Sequence, residues 1–397
     1  MKPLTGFIAK QHRYLYIALL ANCIMIGVEM TIIGATLPKM LAQFSWPYTV
    51  AGAIIAAGSF GDFVSSYISG TLVDRIGPKV VIVSNIFIQV LALAFFAATP
   101  SIVLNFILSM LIGFGQGGVD VTINYSVSRM QKPGESRPMG IIHSAYAIGS
   151  VIGPAITGII IYAGLHWQLV FRAVAGLTTL IGIIMLTLPF QRIKETQYKS
   201  TSDMASGKPS HQAMFYLSGL ILFLYVGLEF GTSRWISEYF VTTLGINASI
   251  GAGMVSIFWI AILLGRIAVP ILFQKIERSI LLTRLSLFAT VSIAFSILVK
   301  SPIMAAICFF ATGLGCSAIY PLVMTITSQY FQESQGKAIG FAATGGAIGA
   351  LVFPFIMSAI SDSTNLTTGF WVYVLIGFLM STVTAMIAPI VHKQKKI

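Results

Sequence analysis

Twelve apolar stretches run through this chain from end to end, at residues 14–41, 49–73, 79–98, 102–128, 138–163, 169–190, 213–241, 249–272, 280–299, 303–329, 336–360 and 368–391. Each has the roughly 20 residues an α-helix needs to cross the hydrocarbon core of a bilayer. No water in that core can satisfy backbone N–H and C=O groups, so spans of this kind bond them internally as helices. The expected fold is therefore all-α and membrane-embedded, with twelve transmembrane helices. Composition agrees: 56% of the 397 residues are hydrophobic and 9% charged, far from the make-up of soluble domains. Lys10 and Arg13 ahead of the first span imitate the start of a signal peptide. The apolar run that follows is about twice the length of such a segment's core, so it is expected to stay as the first membrane helix.

The formal net charge is +12, but the basic residues are scattered through short loops and form no stripe that would take nucleic acid. Their placement reports topology. Arg75 and Lys79, then Arg129, Lys132 and Arg137, then Arg192, Lys194, Lys199 and Lys208, then Lys275, Arg278 and Arg284 fall in every second loop, and Lys393, Lys395 and Lys396 end the chain. The alternate loops 42–48, 99–101 and 242–248 carry no Lys or Arg, with Lys39 and Lys300 isolated on that side. Both termini are thus expected in the cytoplasm, in a multi-pass protein of the cell membrane. Cys23, Cys308 and Cys316 lie in apolar segments and read as small packing residues, not as a disulfide framework or metal site. No H-E-x-x-H, G-x-S-x-G or Walker A pattern occurs. Neither enzymatic activity nor a cofactor is expected.

Between the sixth and seventh spans lies the one long polar stretch, Gln191 to Gln212. It divides the chain into residues 1–190, a cytoplasmic linker 191–212, and residues 213–397. At a fixed offset of 200 residues the halves repeat each other. Ile26-Gly27-Val28-Glu29 meets Val226-Gly227-Leu228-Glu229, and Gly113-Phe114-Gly115 meets Gly313-Leu314-Gly315. Gly140 meets Gly340, Ala147-Ile148-Gly149 meets Ala347-Ile348-Gly349, and Pro154 meets Pro354. A series of matches without a shift of register indicates a duplicated six-helix unit. Two parallel-repeat bundles with a substrate site between them near the midplane form a transporter architecture.

The loop Gly70-Thr71-Leu72-Val73-Asp74-Arg75-Ile76-Gly77-Pro78-Lys79 resembles the G-x-L-x-D-R-x-G-R-[KR] cytoplasmic signature of the major facilitator superfamily, with Pro78 where a basic residue is commoner. Gly70 would permit close helix approach, Gly77 a tight turn, and Asp74 could cap a neighbouring helix. Arg75 and Lys79 complete the motif. The equivalent stretch in the second half, Pro270 to Ser279, keeps Lys275 but has Gln274 and Glu277 in place of the Asp and the Gly. Three further segments are similar to the fucose and glucose/galactose proton-symporter family: Gly113 to Asn124 to its helix 4, Tyr225 to Glu229 with Trp235 to its helix 7, and Phe258 to Arg266 to its helix 8. This resemblance implies proton-coupled uptake of a hexose-like sugar by alternating access. The rival expectation is a proton-antiport exporter of drugs or small metabolites, hinted at by Gly149 to Pro154, which resembles part of an antiporter motif. One departure stands out: Gly34, not an acidic residue, lies four residues before Pro38, so the role of Glu29 is not carried over.

A charge in a membrane helix costs a few kcal/mol and marks a functional position by default. Glu29 and Glu229 fall near the centres of their spans; Asp120, Arg266 and His143 lie towards the cytoplasmic side. In the superfamily fold these are helices facing the cavity or the opposite half. Asp120 is expected to be the proton-coupling carboxylate, taking up and releasing a proton as its access to water alternates, with Glu29 as a second. Arg266 is expected as a gate partner of Asp120 or a substrate ligand, and Glu229 and His143 as substrate or relay residues. Gln116, Asn124, Trp235 and Trp259 complete a sugar site, amides matching hydroxyls and rings covering the C–H face. Trp46, Trp167 and Trp371 are expected as interfacial anchors. The implied partners are a small-molecule substrate, protons and the lipid bilayer.

Overall fold

The structure, a computed structural model, describes residues 8, 10–130, 137–190, 209–331 and 334–394. The first half forms α1 (Arg13–Phe44), α2 (Tyr48–Ile76), α3 (Pro78–Phe95), α4 (Ile102–Met130), α5 (Arg137–Tyr162) and α6 (Leu169–Thr187). The second forms α7 (Pro209–Glu238), α8 (Ala248–Leu272), α9 (Arg278–Leu298), α10 (Pro302–Cys316), α11 (Ile319–Tyr330), α12 (Gln335–Ser363) and α13 (Leu366–Gln394). Among the described residues, 12 spans are long and apolar enough to cross a membrane, with α10 and α11 together making one of them. Residues 191–208 of the expected linker, and the basic residues Lys2, Lys132, Lys395 and Lys396, lie outside the described residues.

Local chemistry sets the helix ends. Gly77 takes φ +84 between α2 and α3, a left-handed conformation glycine adopts without strain, and Pro78 then opens α3 with a φ already suited to a first helical turn. Asn247 caps α8, its side chain accepting from the Ile250 amide at 2.9 Å. The tenth span, expected as one helix over 303–329, is broken at Ser317 and Ala318. Pro321 is the cause. It has no N–H for the Ser317 carbonyl four residues back, and its ring crowds that carbonyl. The Ser317 amide and hydroxyl both turn to the Leu314 carbonyl, at 3.3 and 2.7 Å.

The helices form two compact units. One holds α1, α3 to α6, and α2 from Ala53 onward; the other holds α7 to α13 together with Pro47–Gly52, the stretch that opens α2. Within the second unit Asp362 accepts from the Tyr48 and Thr49 amides and from the Thr49 hydroxyl, and Glu238 accepts from the Tyr48 phenol at 3.2 Å.

Three of the repeated glycine pairs, 113/313, 115/315 and 149/349, are packing positions at matching places in each unit. A Cβ on Gly113 would strike the Gly58 carbonyl, and one on Gly313 would meet the Phe258 carbonyl at 2.6 Å. Gly115 packs on Gln89, Gly315 on Ala289. Gly149 sits against the Ile24 carbonyl and Gly349 against that of Phe223. The offset of 200 read in the sequence thus recurs in which helices touch and where.

Two of the expected membrane anchors are packing residues instead. Trp46 and Trp167 are only 7% and 6% exposed, donating to the Pro100 carbonyl at 3.2 Å and to Gln43 at 2.6 Å. Phe44 packs on both rings. Their indoles find partners inside the unit, which removes the reason for a Trp to sit at the headgroups. Trp371 is 44% exposed.

Candidate functional site

Glu29 lies near the middle of the 32-residue α1 and is 1% exposed. Its carboxylate accepts from Gln89 of α3 at 3.1 and 3.0 Å, from Gln116 of α4 at 3.3 Å and from the Thr178 hydroxyl of α6 at 3.0 Å. Three donors from three helices answer a buried charge that would otherwise be prohibitive. The arrangement ties α1, α3, α4 and α6 to one point.

Asp120 is partly buried on α4. Asn124, one turn later, donates to its carboxylate at 3.1 Å and to its backbone carbonyl at 3.0 Å. His143 of α5 lies close enough for its charge to act on Asp120. The structure therefore groups Asp120, Asn124 and His143, and separately groups Glu29 with Gln116. Both amides read as sugar ligands direct N–H groups to carboxylates.

A third carboxylate of this unit was not singled out from the sequence. Asp62 lies near the middle of the 29-residue α2 and is partly buried. Its backbone packs on Gly117 of α4: a Cβ there would strike the Asp62 carbonyl and lie 2.7 Å from its Oδ1 and 2.9 Å from Ser66 Oγ. Gly118, next along α4, admits Asn85 of α3 in the same way. The signal in the sequence was a polar row at helical spacing, Ser59, Asp62, Ser66 and Ser69, in the span with the lowest mean hydropathy of the 12, 1.2.

In the second unit Glu229 is 3% exposed, and its Oε1 lies 4.0 Å from Arg266 Nη2 of α8, an ion pair beyond hydrogen-bond length. The structure brings these two predicted residues together. Tyr225, one turn before Glu229, faces Tyr320 of α11 at 6.4 Å between ring centroids, while Gly265 packs on Ser317 at the break between α10 and α11. Glu229 and Arg266 are thus flanked by the one broken span among the described residues. Trp259 is fixed elsewhere: its Nε1 donates to Ser233 at 2.7 Å, and Phe230 and Phe258 pack edge-on to it. Trp235 is fully buried and meets the Tyr48 ring edge-on at 5.7 Å. Thr232 Oγ1 and Trp235 Nε1 are buried with no hydrogen-bond partner among the described residues.

The signature loop is at the end of α2. Asp74 pairs with Arg129 of α4 at 3.8 Å, and Arg129 covers the Tyr125 ring at 4.2 Å. Asp74 does not cap α3, whose N-cap is Gly77 without a side-chain bond. A Cβ on Gly70 would meet nothing within 4 Å, so the expected close approach is not realised there. Arg75 is exposed and Lys79 partly buried.

Twelve apolar spans in two duplicated bundles, with ionisable groups held inside them, define a membrane transporter fold. A family model described as Major Facilitator Superfamily matches residues 17–301 and 278–397, so the chain belongs to the major facilitator superfamily. The MFS-type transporter YfkL of Bacillus subtilis (strain 168) is 20% identical over 347 residues, 86% of this chain and 87% of YfkL. A bacterial homolog of the human lysosomal transporter Spinster, solved in an inward-facing and occupied conformation, matches with a TM-score of 0.76 at 14% identity, over 95% of this chain and 97% of its own. A D-xylose–proton symporter matches with a TM-score of 0.73 at 15% identity, over 94% and 97%.

Proposed function

We propose that this transporter carries a hexose-like sugar into the cell by alternating access, driven by protons, with both termini in the cytoplasm. The observation that carries the substrate reading is the row of buried polar atoms on α7: Thr232 Oγ1 and Trp235 Nε1, which make no hydrogen bond among the described residues, beside Tyr225 and the Glu229–Arg266 ion pair. Donors and acceptors side by side match a polyol, whose hydroxyls give and take hydrogen bonds alike. A purely hydrophobic cargo would leave them unsatisfied at a cost. Arg266 and Glu229 beside the broken span supply charge-assisted bonds. The D-xylose–proton symporter among the fold's neighbours is consistent with this reading.

Asp120 is the coupling carboxylate of this proposal. It is partly open on α4, with Asn124 and His143 to steady its two protonation states. Glu29, closed off and bonded by three fixed donors, suits a hub of the bundle better than a site that must trade protons with water.

Counterflow in proteoliposomes with a panel of labelled hexoses tests the substrate. Exchange of at least one sugar is expected; exchange of hydrophobic cations and of no sugar would replace this reading with the exporter. Asp120→Asn should abolish proton-driven accumulation while counterflow continues, since a neutral amide mimics the protonated acid. Accumulation against a gradient in that variant would take the coupling role from Asp120.

A further inference from the structure

We infer that Arg284, on the outer face of α9, anchors a binding site for the headgroup of an anionic phospholipid at the edge of the second unit. Ile280, Leu287, Val291, Phe295 and Leu298 of α9 are all exposed and recur at helical spacing, so they form one stripe. A contiguous exposed apolar face on a membrane-spanning helix is a surface for lipid. Arg284 is exposed within that stripe, four residues after Ile280 and three before Leu287. The first unit repeats the stripe: Val80, Phe87, Leu91 and Phe95 of α3 stand 200 residues before Ile280, Leu287, Val291 and Phe295 and are exposed as they are. At the position matching Arg284 it has Ser84, also exposed, whose hydroxyl donates to the Val81 carbonyl of its own helix at 3.0 Å. One lipid-facing position thus carries a self-contained hydroxyl in one unit and a guanidinium in the other.

A guanidinium has five N–H donors and keeps its charge, so on a lipid face it calls for an acceptor. Among the described residues, α9 and the helices that pack on it, α10, α11 and α13, hold no Asp or Glu. Glu277, just before α9, accepts from the Ser279 hydroxyl at 3.2 Å. The acceptor the bilayer supplies is phosphate, which the arginine fork binds bidentately. Arg284 lies six residues from the start of α9, about 9 Å along the helix, and helical side chains tilt towards the N-terminus. Its apolar stem can therefore lie over Ile280 while its charge reaches back to headgroup level. Exposed Lys275 and Arg278 outnumber Glu277 at that end, and the N-terminal dipole of α9 adds to them. This favours a headgroup with net negative charge over a zwitterionic one. Leu285, next to Arg284, packs against Val269 of α8, Leu281 of α9 and Ala318 at the break between α10 and α11. A lipid held at Arg284 thus braces the end of α9 against the broken span.

The test uses the purified full chain in detergent, with phosphatidylglycerol and phosphatidylcholine of the same acyl chains as probes and native mass spectrometry to read bound lipid. Wild type should bind phosphatidylglycerol the more tightly. Arg284→Ser, which installs the side chain found at the matching position of α3, should weaken phosphatidylglycerol binding roughly fivefold, the share of one basic side chain at a membrane surface. Its binding of phosphatidylcholine should not change. Arg284→Lys, which keeps the charge, should lose less. In phosphatidylcholine vesicles, added phosphatidylglycerol should raise the melting temperature of wild type and not that of Arg284→Ser. Equal affinity of wild type for the two lipids overturns the assignment, as does phosphatidylglycerol binding in Arg284→Ser as tight as in wild type. Displacement of the lipid by inorganic phosphate, at an ionic strength where chloride displaces none, would make this a site for a soluble anion and overturns it too. None of these readouts involves the cargo, so failure of the sugar reading leaves the outcome for Arg284 intact.

Discussion

Glu29 shows how a single residue's role turns on its partners. Its three donors come from positions 60, 87 and 149 residues away, so nothing in the local sequence says whether the carboxylate is free to titrate or fixed as an acceptor. Its repeat mate Glu229 has none of them: Ala289, Cys316 and Phe378 stand at the equivalent positions, and Glu229 faces Arg266 instead. Duplicated carboxylates have thus diverged, one into an intra-bundle acceptor and one into an ion pair. Glu29→Ala leaves three buried donors without an acceptor, at about 1–3 kcal/mol for each that finds no substitute. Glu29→Gln keeps one acceptor oxygen and loses less. Thermal unfolding of the purified protein should rank wild type above Glu29→Gln and Glu29→Ala last, and Glu29→Gln should still accumulate substrate. A thermally neutral Glu29→Gln that cannot accumulate would make Glu29 a coupling residue instead.

At the scale of helices, glycine separates two kinds of repeated position. Gly149 and Gly349 admit a carbonyl of α1 and α7 respectively, so an added methyl forces two helix backbones apart. Overpacking of this kind costs about 1–3 kcal/mol, outweighing the gain of up to about 1 kcal/mol that alanine brings to a helix interior. Gly140 and Gly340 repeat with equal fidelity, yet a Cβ on either meets nothing within 4 Å. Gly149→Ala and Gly349→Ala should therefore lower the melting temperature, whereas Gly140→Ala and Gly340→Ala should leave it level or raise it. Melting curves of the four variants in one detergent decide it, and the same sign for all four would mean that packing at these glycines is not what the repeat preserves. Pro154 and Pro354 make a related point, since both lie inside unbroken helices, while Pro321 breaks its span.

For the molecule as a whole, the number of spans and the duplication were legible because bilayer thickness fixes the length of an apolar run, and because close helix packing keeps glycines in register across both halves. Family membership was legible in the loop at Gly70 to Lys79. Which polar side chains meet was not, because Glu29 with Gln116, or Asp62 with Gly117, become neighbours only when helices distant in sequence pack. The same limit applies to Asp74, whose partner Arg129 lies two helices on. Its side chain is 66% exposed, and ion pairs so open to solvent contribute roughly 0–1 kcal/mol. Asp74→Asn should thus leave the unfolding temperature nearly unchanged. In the alternating-access cycle proposed above, a loop at the end of α2, far along the helix from the mid-span carboxylates, can act on the cycle without touching substrate. The variant is expected to slow counterflow while substrate affinity in a binding assay stays within a few-fold. A large loss of affinity at normal counterflow rate would place the loop in the binding site; a large drop in melting temperature would show that Asp74 and Arg129 hold the first unit together.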